Sequence, residues 1–160
     1  MFMEKPKIHF EMPFRYCVTL AFFLLSGILA YADLTVGNES FSPKRDGTSK
    51  YFQQCNANAS YSETTGYTLR FAGSSVISGK ISAFGDLHVI LSASADVLVS
   101  VSSGLALNAT SSLKISGPGT LSVRGGYVHG GSIDIVGAVL FIDTGATKNS
   151  ALSSDGSIPC

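Results

Sequence analysis

From Tyr67 onward the chain is written in short apolar segments punctuated by Gly, Ser and Asp. Leu87-His88-Val89-Ile90-Leu91, Val97-Leu98-Val99-Ser100-Val101, Leu113-Lys114-Ile115, Leu121-Ser122-Val123 and Ile133-Asp134-Ile135-Val136 are typical. Most alternate with period two, which places apolar side chains on one face of a strand. The separators Gly73-Ser74-Ser75, Ser102-Ser103-Gly104, Gly117-Pro118-Gly119 and Gly125-Gly126 are turn formers. No 3.6-residue period persists, and β-branched residues, Ser and Gly dominate, so helices are excluded from this stretch.

The beat of these segments selects an architecture. Apolar pairs begin at Leu98, Leu105, Leu113, Leu121, Val128, Ile133 and Leu140, in steps of five to eight residues. Such steps leave no room for crossover helices or long hairpins. They predict a short right-handed parallel β-helix, an all-β solenoid whose inward residues stack from one coil to the next. A β-sandwich is the alternative, since regular short strands also suit it. Residues 67–145 form the predicted solenoid domain, with Leu98 and Ile115 both expected inward. Residues 33–66 hold Pro43, the charged run Lys44-Arg45-Asp46 and a polar run from Gln53 to Thr65, so they read as a polar leader or an N-terminal cap. Residues 146–160 form a C-terminal tail.

The start of the chain has a different texture. Lys5, Lys7 and Arg15 precede an apolar run from Tyr16 to Leu25, and Ala30-Tyr31-Ala32 ends it with small residues at both flanking positions. Basic, apolar, small-x-small is the order of a secretory signal peptide, here residues 1–32, expected to be helical and to be removed. The rival is an uncleaved anchor, for which Tyr16–Ala32 is at the lower limit of length. Export points to a secreted or cell-surface location, with no membrane attachment after the signal is removed. Of the cysteines Cys17, Cys55 and Cys160, the last two survive cleavage, and an exported chain permits a Cys55–Cys160 disulfide. Asn38, Asn58 and Asn108 open N-x-S/T sequons, which acquire meaning if the source glycosylates exported proteins.

Charge removes further classes. The formal net charge is +0 and only 14% of residues are charged, so a basic face for nucleic acid is not expected. With 45% hydrophobic residues, the chain is not a solvated disordered polymer either. Asp86, Asp96 and Asp143 stand at segment edges, where Asp most often shapes turns. No pair of close carboxylates, no metal-ligand spacing and no cofactor loop is present, so no enzyme activity, metal or cofactor is expected. The most unusual stretch is Arg124-Gly125-Gly126-Tyr127-Val128-His129-Gly130-Gly131. Its glycines would let a loop present Arg124, Tyr127 and His129 to a ligand such as a sugar or an anion. An ordinary solenoid corner with exposed polar groups explains the same residues.

The units Gly119-Thr120-Leu121-Ser122-Val123 and Gly137-Ala138-Val139-Leu140 resemble the repeats of autotransporter passengers and related parallel β-helix adhesins. The likeness runs from about Leu69 to Gly145. It implies surface attachment, with glycans, extracellular matrix or a host or cell surface as partners. The expectation is therefore an adhesin-like binding or structural module. The alternatives are a fragment of a carbohydrate-active β-helix enzyme, whose scattered acids meet in space, and a terminal piece of a longer surface protein.

Overall fold

The computed structural model describes residues 33–145 and 151–155. The expected signal peptide and its helix, Cys160 and most of the tail lie outside the described residues. The architecture is a parallel β-solenoid of about four turns. Strands pair with their counterparts one coil away rather than with their sequence neighbours, which rules out the sandwich.

Residues 34–62 close the N-terminal end of the solenoid with two antiparallel hairpins. The first pairs β1 (Leu34–Val36) with β2 (Glu39–Phe41) through a two-residue turn, Gly37-Asn38. Gly37 has φ +60°, as the first central position of a tight hairpin turn demands. A short helix α1 (Pro43–Asp46) follows, its first turn accommodating Pro43 because an N-terminal N–H has no helical partner to lose. The second hairpin pairs β3 (Ser49–Phe52) with β4 (Ala57–Ser62), and a 3-10 turn at Gln53–Cys55 joins them. Lys50 on β3 clasps the two hairpins by donating to Ser40 O at 2.5 Å. The cap turns Phe41, Phe52 and Leu34 inward, all 0% exposed.

The coils then run through β5 (Gly66–Phe71), β6 (Ser75–Ser78), β7 (Ile81–Ala83), β8 (Leu87–Leu91), β9 (Asp96–Ser100) and β10 (Leu105–Ser116). They continue through β11 (Thr120–Arg124), β12 (Tyr127–Val136), β13 (Val139–Asp143) and β14 (Leu152–Ser154). Three faces result. The first stacks β5, β8 and the second halves of β10 and β12. The second stacks β6, β9, β11 and β13. The third stacks β7, the first halves of β10 and β12, and β14. On the first face Tyr67 lies beside Leu87, Leu87 beside Leu113 and Leu113 beside Ile133, so the coils advance by 20, 26 and 20 residues. The five-to-eight-residue beat of the sequence is therefore the step between faces of one coil.

The cap engages two of these faces. β4 pairs antiparallel with β5 on the first face, and β1 pairs antiparallel with β7 on the third. The edge of β6 meets the Gln53–Cys55 turn, where Ser75 Oγ donates to Cys55 O at 2.5 Å. The first-coil edges of β5 and β7 are thus paired by cap strands, which withdraws them as templates for aggregation.

Inward side chains form columns one residue wide. Leu69, Val89 and Ile115 make one, Ile77, Val99 and Val123 another, and Ile81, Leu107 and Val128 a third. Every member is at most 3% exposed. No single coil can bury such a stripe, whereas stacking covers each residue above and below. Full burial of each large member contributes about 1.5–3 kcal/mol. Ile115 points inward as expected. Leu98 does not: Val97 and Val99 on either side are 0% exposed, so the alternation of β9 turns Leu98 outward.

Corners depend on glycine. Gly125 has φ +78°, and a Cβ there would overlap Val101 O of the coil below. At Gly131, where β12 bends from the third face to the first, a Cβ would overlap Ser111 O at the equivalent bend of β10. Coil backbones pass too closely at these corners for a side chain to intervene.

Candidate functional site

The three residues singled out in the glycine-flanked stretch lie about one corner, but on two faces. Arg124 is the last residue of β11 on the second face and is exposed. Gly125 and Gly126 turn the chain, and Tyr127 opens β12 on the third face. Alternation sends Tyr127 and His129 outward and Val128 inward. No hydrogen bond or ion pair joins Arg124, Tyr127 and His129 to one another among the described residues. The stretch does not form a single loop cradling a ligand; most of it is regular strand.

His129 has other partners. On the third face the outward positions Ser40, Thr35, Ser82, Asn108, His129 and Ser153 stand in register across β2, β1, β7, β10, β12 and β14. They make a polar ladder running the length of the described solenoid. Asn108 Nδ2 donates to Ser82 Oγ at 3.3 Å. His129 Nδ1 lies 3.1 Å from Ser153 Oγ, and its Nε2 is 3.8 Å from Asp155 Oδ2. Serine, histidine and aspartate therefore meet here, a grouping invisible in the sequence because β14 pairs with β12 only in the fold. Asp155 is 77% exposed and beyond hydrogen-bond distance, so water competes for it and it cannot hold the imidazole in one orientation.

The first face carries the other mixed-charge group. Its outward column Thr68, His88, Lys114 and Asp134 crosses β5, β8, β10 and β12 in register. Lys114 Nζ and Asp134 Oδ2 are 3.8 Å apart and both half-exposed, a pair worth at most about 1 kcal/mol. His88 Nε2 lies 2.7 Å from Ser116 Oγ. Partial burial holds the His88 imidazole below its ordinary pKa, and the positive charges of Lys114 and Arg70 push it the same way.

The acids remain dispersed. Asp96 and Asp143 share the second face but occupy the first position of β9 and the last of β13. Asp86 sits at a corner, where its Oδ1 accepts from Ser112 N at 3.0 Å, a turn-shaping role. Among the described residues no group of three or more His, Cys, Asp or Glu side chains could hold a metal ion. No helix among them is long and apolar enough to cross a membrane.

The remaining singled-out residues are placed as follows. Asn38 sits exposed in the β1–β2 turn, Asn58 exposed on β4, and Asn108 half-buried within the polar ladder. Cys55 is 4% exposed within the cap, and burial, followed by the charge of Glu39, pushes its thiol up to about 11. Its expected partner Cys160 lies outside the described residues. Compared with family models, curated proteins and solved structures, the chain matches none.

Proposed function

We propose that this chain is a secreted or surface-exposed, non-catalytic β-repeat module, adhesin-like in character, that acts by contact with glycans, extracellular matrix or a cell surface. The observation that carries the reading is the polar ladder of the third face, six outward side chains in register from Ser40 to Ser153. A rigid row at regular strand spacing of about 4.8 Å suits recognition of an extended polymer, because each further coil adds a contact without further ordering cost. The apolar core underneath fixes the backbone of the row, so little conformational entropy is lost on binding.

The test is a glycan array and cell- and matrix-adhesion assays on the full chain, run beside hydrolysis assays on acidic polysaccharides. Saturable binding without turnover is expected. Turnover abolished by a single Asp→Asn change would sink the reading in favour of a carbohydrate-active enzyme. A second reading has one observation behind it: Ser153, His129 and Asp155 supply a hydroxyl, an imidazole and a carboxylate in one place. Hydrolysis of p-nitrophenyl esters that disappears in both Ser153→Ala and His129→Ala would favour a surface hydrolase over the binding module.

A further inference from the structure

The seam between the N-terminal cap and the first coil contains a cleft that no stretch of sequence announces. Asp33, Pro43, Lys44, Tyr61, Tyr67 and Phe84 line it. They come from the residue before β1, from α1, from β4 and β5, and from the corner after β7. The pairing of β1 with β7 fixes their approach, and Phe84 N donates to Asp33 O at 2.7 Å.

The floor is aromatic. Tyr67 is 3% exposed, with the Tyr61 ring 4.8 Å away and tilted by 44°, and Phe41 behind it in an edge contact at 6.1 Å. Phe84 stands at the rim with 65% exposure. The Asp33 carboxylate is anchored: its Oδ2 accepts from Ser42 Oγ at 2.9 Å, and the Tyr67 hydroxyl donates to it. Burial, then the charge and hydrogen bond of Asp33, raise the Tyr67 pKa, so the phenol stays a donor at any physiological pH. A carboxylate offers about four acceptor positions, and among the described residues two bonds are made to it. Lys44 is exposed and makes no ion pair or hydrogen bond among the described residues. One carboxylate and one ammonium leave the cleft balanced in charge.

We propose that this cleft, with Phe84 and Tyr61 as apolar platforms and Asp33 and Lys44 as polar contacts, binds a neutral saccharide ring. The assignment rests on the binding-module reading above and gives it a ligand class. A pyranose presents an apolar C–H face and a girdle of hydroxyls that both donate and accept. The aromatic rings match the first, and an acceptor and a donor lining the same cleft match the second. A strongly anionic sugar would meet Asp33, and a cationic peptide would meet Lys44. The charge balance therefore favours a neutral ligand over either.

Calorimetry on the full chain with cellohexaose, xylohexaose and chitohexaose, with heparin and polygalacturonate as anionic arms, tests the assignment. Phe84→Ala and Lys44→Ala change exposed side chains, and circular dichroism checks that the fold is retained. Loss of the aromatic platform, or of the charged acceptor in Asp33→Asn, weakens binding about tenfold or more. Should Asp33→Asn disturb the cap, Phe84→Ala decides alone. Neutral-sugar binding that survives Phe84→Ala and Lys44→Ala, or tighter binding of the anionic polymers, overturns the site while leaving a binding module. A chain that binds none of these sugars but still adheres to matrix or cells also overturns the site alone. A chain that binds no sugar, matrix or cell removes both readings together.

Discussion

Placing one carboxylate on either side of the solenoid wall separates inward from outward positions. In Ile115→Asp the new group replaces a side chain that is 0% exposed, between Val89 of the coil below and Ile135 of the coil above. Losing the buried isoleucine costs about 1.5–3 kcal/mol. The carboxylate has no partner there, and full burial raises a carboxyl pKa by about 3–5 units, at about 1.4 kcal/mol each. The total, about 6–10 kcal/mol, is comparable with the about 5–15 kcal/mol that holds a domain folded. Leu98→Asp puts the same group on the outer side of β9, beside Val76 and Ser122, where water solvates it. Only a cross-strand apolar contact is lost there, worth about 0.2–1 kcal/mol. Urea titration followed by far-UV circular dichroism should find Leu98→Asp close to the parent chain and Ile115→Asp unfolded or nearly so at neutral pH. Because burial raises the folded-state pKa of the carboxyl introduced by Ile115→Asp, the folded variant binds the proton more tightly than the unfolded one. The penalty therefore shrinks as pH falls toward about 4, the unfolded-state value. Equal loss of stability in the two variants, or a penalty in Ile115→Asp that grows on acidification, would refute the inward and outward assignment.

Other expectations are open to direct measurement. Gly125→Ala forces a side chain into φ +78° and into Val101 O, so it should destabilise the fold by about 1–3 kcal/mol or more, seen as a lower melting temperature; an unchanged melt would contradict the corner geometry. In the reduced chain the Cys55 thiol, buried and pushed up to about 11, should resist iodoacetamide at pH 8 until urea unfolds the chain, and peptide mapping that finds Cys55 alkylated as fast as a free thiol would count against its burial. The His88 imidazole should titrate below its ordinary pKa by NMR and move upward in Lys114→Ala, because a repelling charge is gone; no movement would mean Lys114 does not face it. Since its folded pKa is depressed, His88 contributes to loss of stability as pH falls below the ordinary imidazole value, where the unfolded chain takes the proton first.

The all-β class and the coiled strand–turn architecture were legible because both are local properties. Period-two alternation, the excess of β-branched residues and the glycine-rich separators act over a few residues, and each narrows the backbone before any distant contact forms. Tertiary structure decided what those patterns leave open. Val97-Leu98-Val99 is apolar at every position, so alternation permits two phases, and only stacking under Leu121 and Val123 turns the valines in and Leu98 out. The sequence beat measures the distance from face to face, whereas the coil closes only when three faces meet, an event controlled by the packing of Tyr67, Leu87, Leu113 and Ile133. The polar leader contains no long apolar run, yet Leu34, Phe41 and Phe52 bury completely because the open end of the first coil offers them apolar surface. The same holds for function. Arg124, Tyr127 and His129 are close in sequence but a corner divides them between faces. Ser153 reaches His129, and Asp33 reaches Tyr67, because segments many residues apart become neighbours when the chain coils.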